Sequence, residues 1–414
     1  MYLSNNTNKT LIALVLYFSL LIGFYFGENT SGGAYDDFII LRIKLIESFK
    51  NDFIATFLSY NDFGDRHSPL LMMLLSFLSV LGIEIDVIRF IHLNILPLLI
   101  LMIYKCLILK FPNIDKKIIF LICCVFFLSP SIRSTAIWPD SRLIGLLIFV
   151  FSIYFFLNFK KNHSYKNCIY SNLLLVLSAY FSPNFSVFFL YYFFYYFKIF
   201  NISQKLIAIF LMNIFLSLPM IIYLFYFDIN FLSIKVVSHL SAIDGLNPSN
   251  KIFIISTLIF FYMLPFIYNQ LSVTFFKKNF KIKHLYFSTI IFFLLLYFFD
   301  YSINYTGGGI FFKISYLLFD NSYLFFCITF LSFLFITNIF KLDFNNVLLF
   351  FVLIISNPQF SIYHKYFDPL LIILFFLFFN FNFQIEKIIN SQLVKNIYSF
   401  YLFLLLINFG RTFI

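Results

Sequence analysis

The residues of this chain that could do chemistry lie in a few polar stretches between long apolar runs. The first stretch, residues 27–67, carries adjacent carboxylates at Asp36 and Asp37, directly after a Ser-Gly-Gly turn. A carboxylate can take the proton from an attacking hydroxyl, so each acid is a candidate catalytic base. The alternative is structural, because an aspartate is also a good N-cap and suits the first turn of a helix.

The later polar stretches supply cationic and imidazole side chains, with one acid among them. Such groups could bind a phosphate or diphosphate. The candidate binding residues are Arg66, His67, Arg133, Asp140, Arg142, Lys313, His364 and Lys365. For the stretch Tyr363–Asp368, a Tyr/Lys anchor at the membrane interface is an equally good explanation.

Several other kinds of site are absent from the sequence. There is no His-Glu-x-x-His, Gly-x-Ser-x-Gly or Walker pattern, and no Gly-Lys-Ser/Thr follows the triple glycine Gly307–Gly309. The cysteines lack Cys-x-x-Cys spacing and the histidines are scattered. We therefore expect neither a metal nor a cofactor. No basic, aromatic-interleaved soluble segment is present either, so we expect no nucleic-acid partner despite the net charge of +11.

The elements that position these residues are predicted to be membrane helices. Hydrophobic residues make up 62% of the chain and charged residues 11%, with a mean hydropathy of +0.93. A helix needs roughly 20 apolar residues to cross a bilayer. Runs of this kind predict an all-α bundle of about 13 transmembrane spans. They lie near residues 11–26, 87–109, 116–131, 142–159, 167–181, 184–199, 205–227, 252–272, 284–300, 316–339, 345–356, 369–383 and 394–410.

Clusters of lysine predict the orientation of the chain, because cytoplasmic loops are rich in Lys and Arg. The clusters are Lys105, Lys110, Lys116 and Lys117; Lys160, Lys161 and Lys166; Lys198 and Lys205; and Lys277, Lys278, Lys281 and Lys283. If all these loops are cytoplasmic, the number of spans between the outer stretch 27–67 and Lys105 must be odd. One span at 87–109 satisfies this condition, whereas a second span at 68–82 would not. We therefore predict a short helix at the outer face there, with the N-terminus cytoplasmic and the C-terminus external.

With this topology, most acids lie outside. Only Asp115, Asp343 and Glu386 fall on the cytoplasmic side, so the chemistry is expected at the exterior of a cytoplasmic (inner) membrane. The first outer loop, 27–86, contains an amphipathic segment from Asp37 to Lys50. Its predicted apolar face is Phe38, Ile39, Leu41, Leu45, Ile46 and Phe49, and its predicted polar positions include Arg42, Lys44, Glu47 and Lys50.

Within residues 10–200, the paired acid after the first span is followed by Gly64–Leu70 (GDRHSPL), which opens the next short helix. A later loop has Ser129-Pro130, Arg133 and Asp140 in order. This arrangement resembles the GT-C membrane glycosyltransferases, the superfamily of protein mannosyltransferases and aminoarabinose transferases. We therefore divide the chain into a GT-C-like module, 1–200, and further spans, 201–414, with outer loops 227–251, 301–315 and 356–369 and no separate soluble domain.

The resemblance implies an inverting glycosyltransferase that takes a sugar from a polyprenyl phosphate or diphosphate and passes it to a glycan or lipid acceptor, in cell-surface polysaccharide assembly. It implies Asp36 as the base, with Asp37 as the second choice, and cations that neutralise the departing phosphate. Two alternatives stay open. One is an O-antigen polymerase that uses polyprenyl-diphosphate-linked repeat units, and the other is a polysaccharide flippase or another transporter.

Overall fold

The computed structural model describes residues 6–30, 33–65, 68–226, 247–268, 281–305, 307–357, 359 and 361–411. These described residues are predominantly helical and contain no β-strand. Their one extended pairing is an isolated bridge between Phe340 and Phe381. The predicted all-α class is therefore confirmed.

The chain forms two compact units. The first unit comprises Met1–Phe231 and Tyr401–Ile414, and the second comprises Leu232–Phe400. Helices that begin in the first unit are α1 (Asn6–Tyr25), α2 (Ala34–Asp36), α3 (Ile43–Asn51), α4 (Phe53–Leu58), α5 (Leu70–Val80), α6 (Ile85–Leu93), α7 (Ile95–Lys110), α8 (Lys116–Cys124), α9 (Pro130–Ile137), α10 (Ser141–Asn162), α11 (Tyr165–Phe181), α12 (Phe188–Phe200) and α13 (Gln204–Tyr226). Those that begin in the second unit are α14 (Pro248–Ile267), α15 (Ile282–Leu296), α16 (Gly309–Phe319), α17 (Tyr323–Ile339), α18 (Phe344–Ile355), α19 (Leu370–Leu377) and α20 (Ser391–Arg411).

Several helices are long and apolar enough to span a membrane. Among the described residues, five qualify: Ile85–Lys110, Ser141–Asn162, Gln204–Tyr223, Pro248–Ile267 and Ser391–Gly410. A sixth crossing is possible if the bent pair Lys116–Leu128 and Pro130–Ile137 is counted as one span. Helices long and apolar enough to span a membrane were thus predicted correctly, but the count of 13 spans stays a prediction.

Two of the predicted spans in the second unit are broken or shortened. The span near 316–339 is interrupted, because α16 ends at Phe319 and Asp320 adopts a left-handed conformation before α17 begins. As a result Lys313, which was predicted to lie in a loop, is within α16. The span near 369–383 contains only the eight-residue helix α19, and eight residues extend about 12 Å, well short of the hydrocarbon thickness.

Polar side chains start many of the apolar helices and so fix where the chain turns. The oxygens of Ser129 and Asp140 accept hydrogen bonds from the backbone N–H groups of Ile132 and Arg142, which begins α9 and α10. Pro130 occupies the first turn of α9, where a proline is tolerated. Because of this Ser-Pro start, the predicted loop 130–142 is mostly a helix, set at 65° to the preceding one.

The predicted amphipathic segment is helical, but two residues, Ile39 and Arg42, lie on the unexpected face. Asp37–Arg42 is a π-helix that joins α2 to α3. Phe38, Leu45, Ile46 and Phe49 are buried as predicted, whereas Ile39 is exposed. Arg42 is also buried, and its assignment to the polar face was wrong. Spacings of three and four residues place it among the four buried apolar residues, on the same side of the helix.

Candidate functional site

The acidic pair lies at the start of this segment in the first unit. Gly33, with φ of 69°, occupies the N-cap position of α2, and Asp36 is already helical and makes no side-chain cap hydrogen bond. The interpretation of Asp36 as an N-cap was therefore wrong. Asp36 is exposed and has no hydrogen-bond or ion-pair partner among the residues that the structure describes. It is a carboxylate on a defined helix whose oxygens are not used by the fold.

Asp37 differs from its neighbour because a buried arginine approaches it. The side chain of Asp37 is 44% exposed, and its Oδ2 lies 3.9 Å from Nη2 of Arg42. The Arg42 side chain is only 2% exposed. The two adjacent acids therefore have different environments: Asp37 faces a cation that belongs to the protein, and Asp36 faces solvent.

A buried carboxylate lies behind the acidic pair and binds two arginines. Asp140, which is fully buried, accepts a hydrogen bond at Oδ2 from Nη2 of Arg42 at 3.0 Å. Arg142 approaches the same carboxylate with two parallel bonds, from Nε to Oδ1 at 2.8 Å and from Nη2 to Oδ2 at 2.7 Å. We call Arg42, Asp140 and Arg142 the Asp140 triad. Its charge-assisted bonds are of the strong kind.

The turn that carries Asp140 is held from a second side by a buried histidine. Nε2 of His92 lies 3.1 Å from the backbone oxygen of Thr135 and 3.3 Å from the backbone nitrogen of Asp140. One tautomer donates to the carbonyl and the other accepts from the N–H group. Either contact joins α6 to the end of α9, so the position of Asp140 is fixed by two helices.

A separate ion pair joins the end of α1 to α9. Nε of Arg133 donates to Oε1 of Glu28 at 2.7 Å, and its Nη2 donates to Oε2 of the same carboxylate. The remaining N–H groups reach Oγ and the backbone oxygen of Ser19 and the backbone oxygen of Phe127, at 3.0–3.1 Å. All five donors of the guanidinium are used. Arg133 was predicted to bind phosphate; in the structure its guanidinium is buried and its donors contact protein groups, and the phosphate-binding role stays a prediction.

The chain's single tryptophan packs between these two clusters. The indole N–H of Trp138 donates to the backbone oxygen of Glu28 at 2.9 Å. The rings of Tyr35 and Phe38 lie 4.7 and 6.0 Å from it, and the guanidinium of Arg89 lies 3.8 Å above it. Stretches 27–67 and 130–142, which were predicted to share one side of the membrane, are therefore in direct contact.

The second unit contains the other predicted binding residues. The backbone N–H of Gly308 donates to the oxygen of Ile362 at 3.0 Å, and the N–H of Ile362 donates to Oη of Tyr301 at 3.3 Å. These bonds join segments 301–315 and 356–369. A side chain at Gly307, where φ is 98°, would overlap the Ile362 carbonyl, which explains the glycine. The two backbone segments therefore approach each other closely at Gly307.

His364, Lys313 and Lys365 lie on these joined segments. Nε2 of His364 is 3.0 Å from Oη of Tyr262, and Nζ of Lys365 lies 5.2 Å from the centre of the Tyr363 ring. Burial lowers the pKa of His364; the charge of Asp368 opposes this shift and that of Lys313 supports it. Lys313 itself is exposed on α16. The phosphate-binding role of these three residues stays a prediction.

Sequence inspection did not single out several buried polar residues, among them Glu28, Arg42, His92 and Lys251. Lys251 is 1% exposed, and its ammonium donates to the backbone oxygens of Asn357 and Gln359. It therefore anchors the segment 356–369 from α14. Of these four, only Arg42 gave a signal in the sequence, as a charge within an apolar helical face.

The remaining predicted residues, Arg66 and His67, lie outside the described residues. Within the part of the chain that is described, no group of three or more His, Cys, Asp or Glu side chains is placed to hold a metal ion. Chemically, the first unit offers an uncommitted carboxylate beside an arginine-bound one. Comparisons of the chain with protein-family models, with curated proteins and with solved structures find no match.

Proposed function

We propose that this chain is an integral membrane glycosyltransferase of surface-polysaccharide assembly. It takes a sugar from a polyprenyl phosphate or diphosphate and transfers it to a glycan or lipid acceptor at the outer face of the inner membrane. The observation that carries the proposal is the position of Asp36. It is an exposed carboxylate on a helix that neither caps that helix with its side chain nor forms an ion pair within the described residues, so it is available to accept a proton.

The proposed reaction needs one base and one leaving group. Asp36 accepts the proton of the acceptor hydroxyl while the hydroxyl oxygen attacks the anomeric carbon from the face opposite the phosphate. The bond between that carbon and the phosphate oxygen breaks, its electrons stay on the phosphate, and the configuration inverts. Asp37 is the second choice for the base, because Arg42 already lies near it.

A transporter of lipid-linked glycans is the second candidate, and one observation favours it. The helix pair Lys116–Leu128 and Pro130–Ile137 is bent by 65°, and broken helices are common at the binding sites of transporters. However, the buried charge at this break, Arg133, is fully occupied by Glu28, Ser19 and Phe127. It offers no free donor to a transported anion, so we rank transport second.

Substitution of Asp36 by asparagine separates the two candidates. Asparagine has nearly the same shape but cannot accept the proton, so Asp36→Asn should lower product formation by about 10²- to 10⁴-fold. Asp37→Asn should be less severe. The assay uses purified protein with a polyprenyl-linked sugar donor, together with complementation of a deletion strain.

The matched control is Glu47→Gln, which removes an exposed carboxylate from the neighbouring helix α3. It should leave activity and protein level unchanged. If Asp36→Asn and Asp37→Asn both retain the activity of the wild type, neither acid is the base, and transport becomes the better explanation.

A further inference from the structure

Arg42 occupies a position that is energetically unfavourable for a charged side chain. It lies on the buried face of the segment between Phe38 and Phe49 and is 2% exposed. Burial of a guanidinium costs several kcal/mol unless the charge is paired and its donors are satisfied. An apolar residue here would complete the face without that cost. The partners of Arg42 should therefore show what the charge is for.

Those partners belong to the turn between α9 and α10. Nη1 of Arg42 donates to the backbone oxygen of Pro139 at 2.6 Å, and Nη2 donates to Oδ2 of Asp140 at 3.0 Å. The guanidinium thus binds a backbone atom and a side chain of the same turn. Two contacts from one planar group define an orientation as well as a distance.

The charges of the triad explain why Asp37 is drawn toward it. Arg42 and Arg142 are two cations that share the single carboxylate of Asp140, so these three groups carry one net positive charge. Asp37 brings an acid to within 3.9 Å of Nη2 of Arg42. The Asp37 carboxylate therefore faces the Arg42 cation, while that of the adjacent Asp36 has no ion-pair partner among the described residues.

We infer that Arg42 is a positioning residue, which fixes the acidic pair against the α9–α10 turn and assigns the two acids different roles. Asp37 is held through Arg42 and the Asp140 triad, and Asp36 is presented to the acceptor. The kinetic part of this inference rests on the proposed function. The π-helical backbone from Asp37 to Arg42 joins the acids directly to the arginine, so a shift of Arg42 moves both acids.

The first test is kinetic and uses Arg42→Met. Asp140 keeps its two bonds to Arg142 in this variant, so the buried carboxylate is not left unpaired. A displacement of about 1 Å can cost roughly 10²-fold in rate, so kcat should fall by about 10- to 100-fold while KM for the lipid donor stays within about twofold. Arg42→Lys keeps the charge and should recover part of the loss.

The second test does not depend on any activity. Trp138 is the only tryptophan, it is 5% exposed, and Tyr35 and Phe38 of the acidic segment pack on it. Release of the segment in Arg42→Met should increase quenching of Trp138 fluorescence by acrylamide. The control Lys44→Met removes an exposed positive charge from α3 and should change neither the quenching nor kcat.

The outcomes separate this inference from the proposed function. If the wild type makes no product from lipid-linked donors, the proposed function fails, and the quenching experiment alone decides whether Arg42 positions the segment. If the wild type is active but the Arg42 variants keep its kcat and its quenching, the inference on Arg42 is overturned and the proposed function stands. Should Arg42→Met not accumulate, Arg42→Lys, with its conserved charge, gives the same two measurements.

Discussion

Two arginine–carboxylate clusters of the first unit lie on either side of Trp138, yet they are built differently. In the Glu28–Arg133 pair, one carboxylate faces one guanidinium whose five donors are all used. In the Asp140 triad, one carboxylate serves two guanidinium groups, and a half-exposed acid approaches from outside. The first cluster is closed and neutral. The second is open toward Asp36 and Asp37.

This difference shows which cluster can take part in chemistry. A saturated pair has no group left for a substrate and would lose hydrogen bonds if it moved, so its role is to join α1 to α9. The triad is approached by an acid outside it, Asp37, which is 44% exposed and lies 3.9 Å from Arg42. Functional groups should therefore be sought at its exposed edge, where Asp37 and Asp36 lie.

The largest effect is expected where the closed pair is broken. Arg133→Met leaves Glu28 as a buried, unpaired carboxylate, and Glu28→Gln leaves an unpaired guanidinium. Loss of one partner of a buried pair typically costs about 3–5 kcal/mol. Both single variants should give little folded protein, measured as the monodisperse fraction after extraction in detergent and size-exclusion chromatography.

The double variant Glu28→Gln with Arg133→Met checks this explanation. It removes both charges, and replacement of a whole buried pair by neutral groups is often tolerated. It should therefore yield more folded protein than either single variant. Normal yield from Arg133→Met alone would contradict the structural role and would restore Arg133 as a candidate phosphate ligand.

The fold class was predictable from the sequence because it depends on composition and run length. Apolar runs such as 87–109 and 142–159 correspond to the observed helices Ile85–Lys110 and Ser141–Asn162. The ends of helices that are buried within the protein were harder to predict. A run such as 369–383 is apolar as far as Phe379, and nothing in the composition of that part shows that the helix ends at Leu377.

The candidate site was predictable only in part. The acids could be found because local signals, a turn followed by a helical pattern, placed them at a helix start. The partners of the arginines could not be found in this way, because the two members of each pair lie far apart in the chain and meet only through tertiary packing. These pairs are Glu28 with Arg133 and Arg42 with Asp140. Arg42 did carry a signal, because an arginine among apolar helix positions indicates a buried partner, but it was predicted to lie on the polar face.

The next prediction concerns the packing around the Glu28–Arg133 pair. Gly23 lies in α1, and a Cβ placed there would overlap the Glu28 carboxylate and approach Nη2 of Arg133 to 2.9 Å. Gly23→Ala should therefore lower stability by about 1–3 kcal/mol, as overpacking usually does. The measurement is the apparent Tm in detergent. Gly410→Ala is the control, because Gly410 is also helical but has open space around it, and its Tm should not fall.

The last prediction concerns Arg142, where we expect an effect similar in size to that of Gly23→Ala and smaller than that of Arg133→Met. It tests whether Asp140 is still stabilised by a cation when one of its two arginines is removed. Arg142→Met leaves Asp140 bonded to Arg42, so the carboxylate keeps a cation, unlike Glu28 in Arg133→Met. Stability should fall by about 1.5–3 kcal/mol, the usual range for hydrogen bonds to a charged group. Arg142→Lys should fall between Arg142→Met and the wild type, because lysine keeps the charge but cannot form the two parallel bonds from Nε and Nη2. The apparent Tm of both variants is to be compared with that of Arg133→Met under the same conditions. If Arg142→Met is as damaging as Arg133→Met, the carboxylate of Asp140 does not share its charge between two arginines, and the distinction between a closed and an open cluster fails.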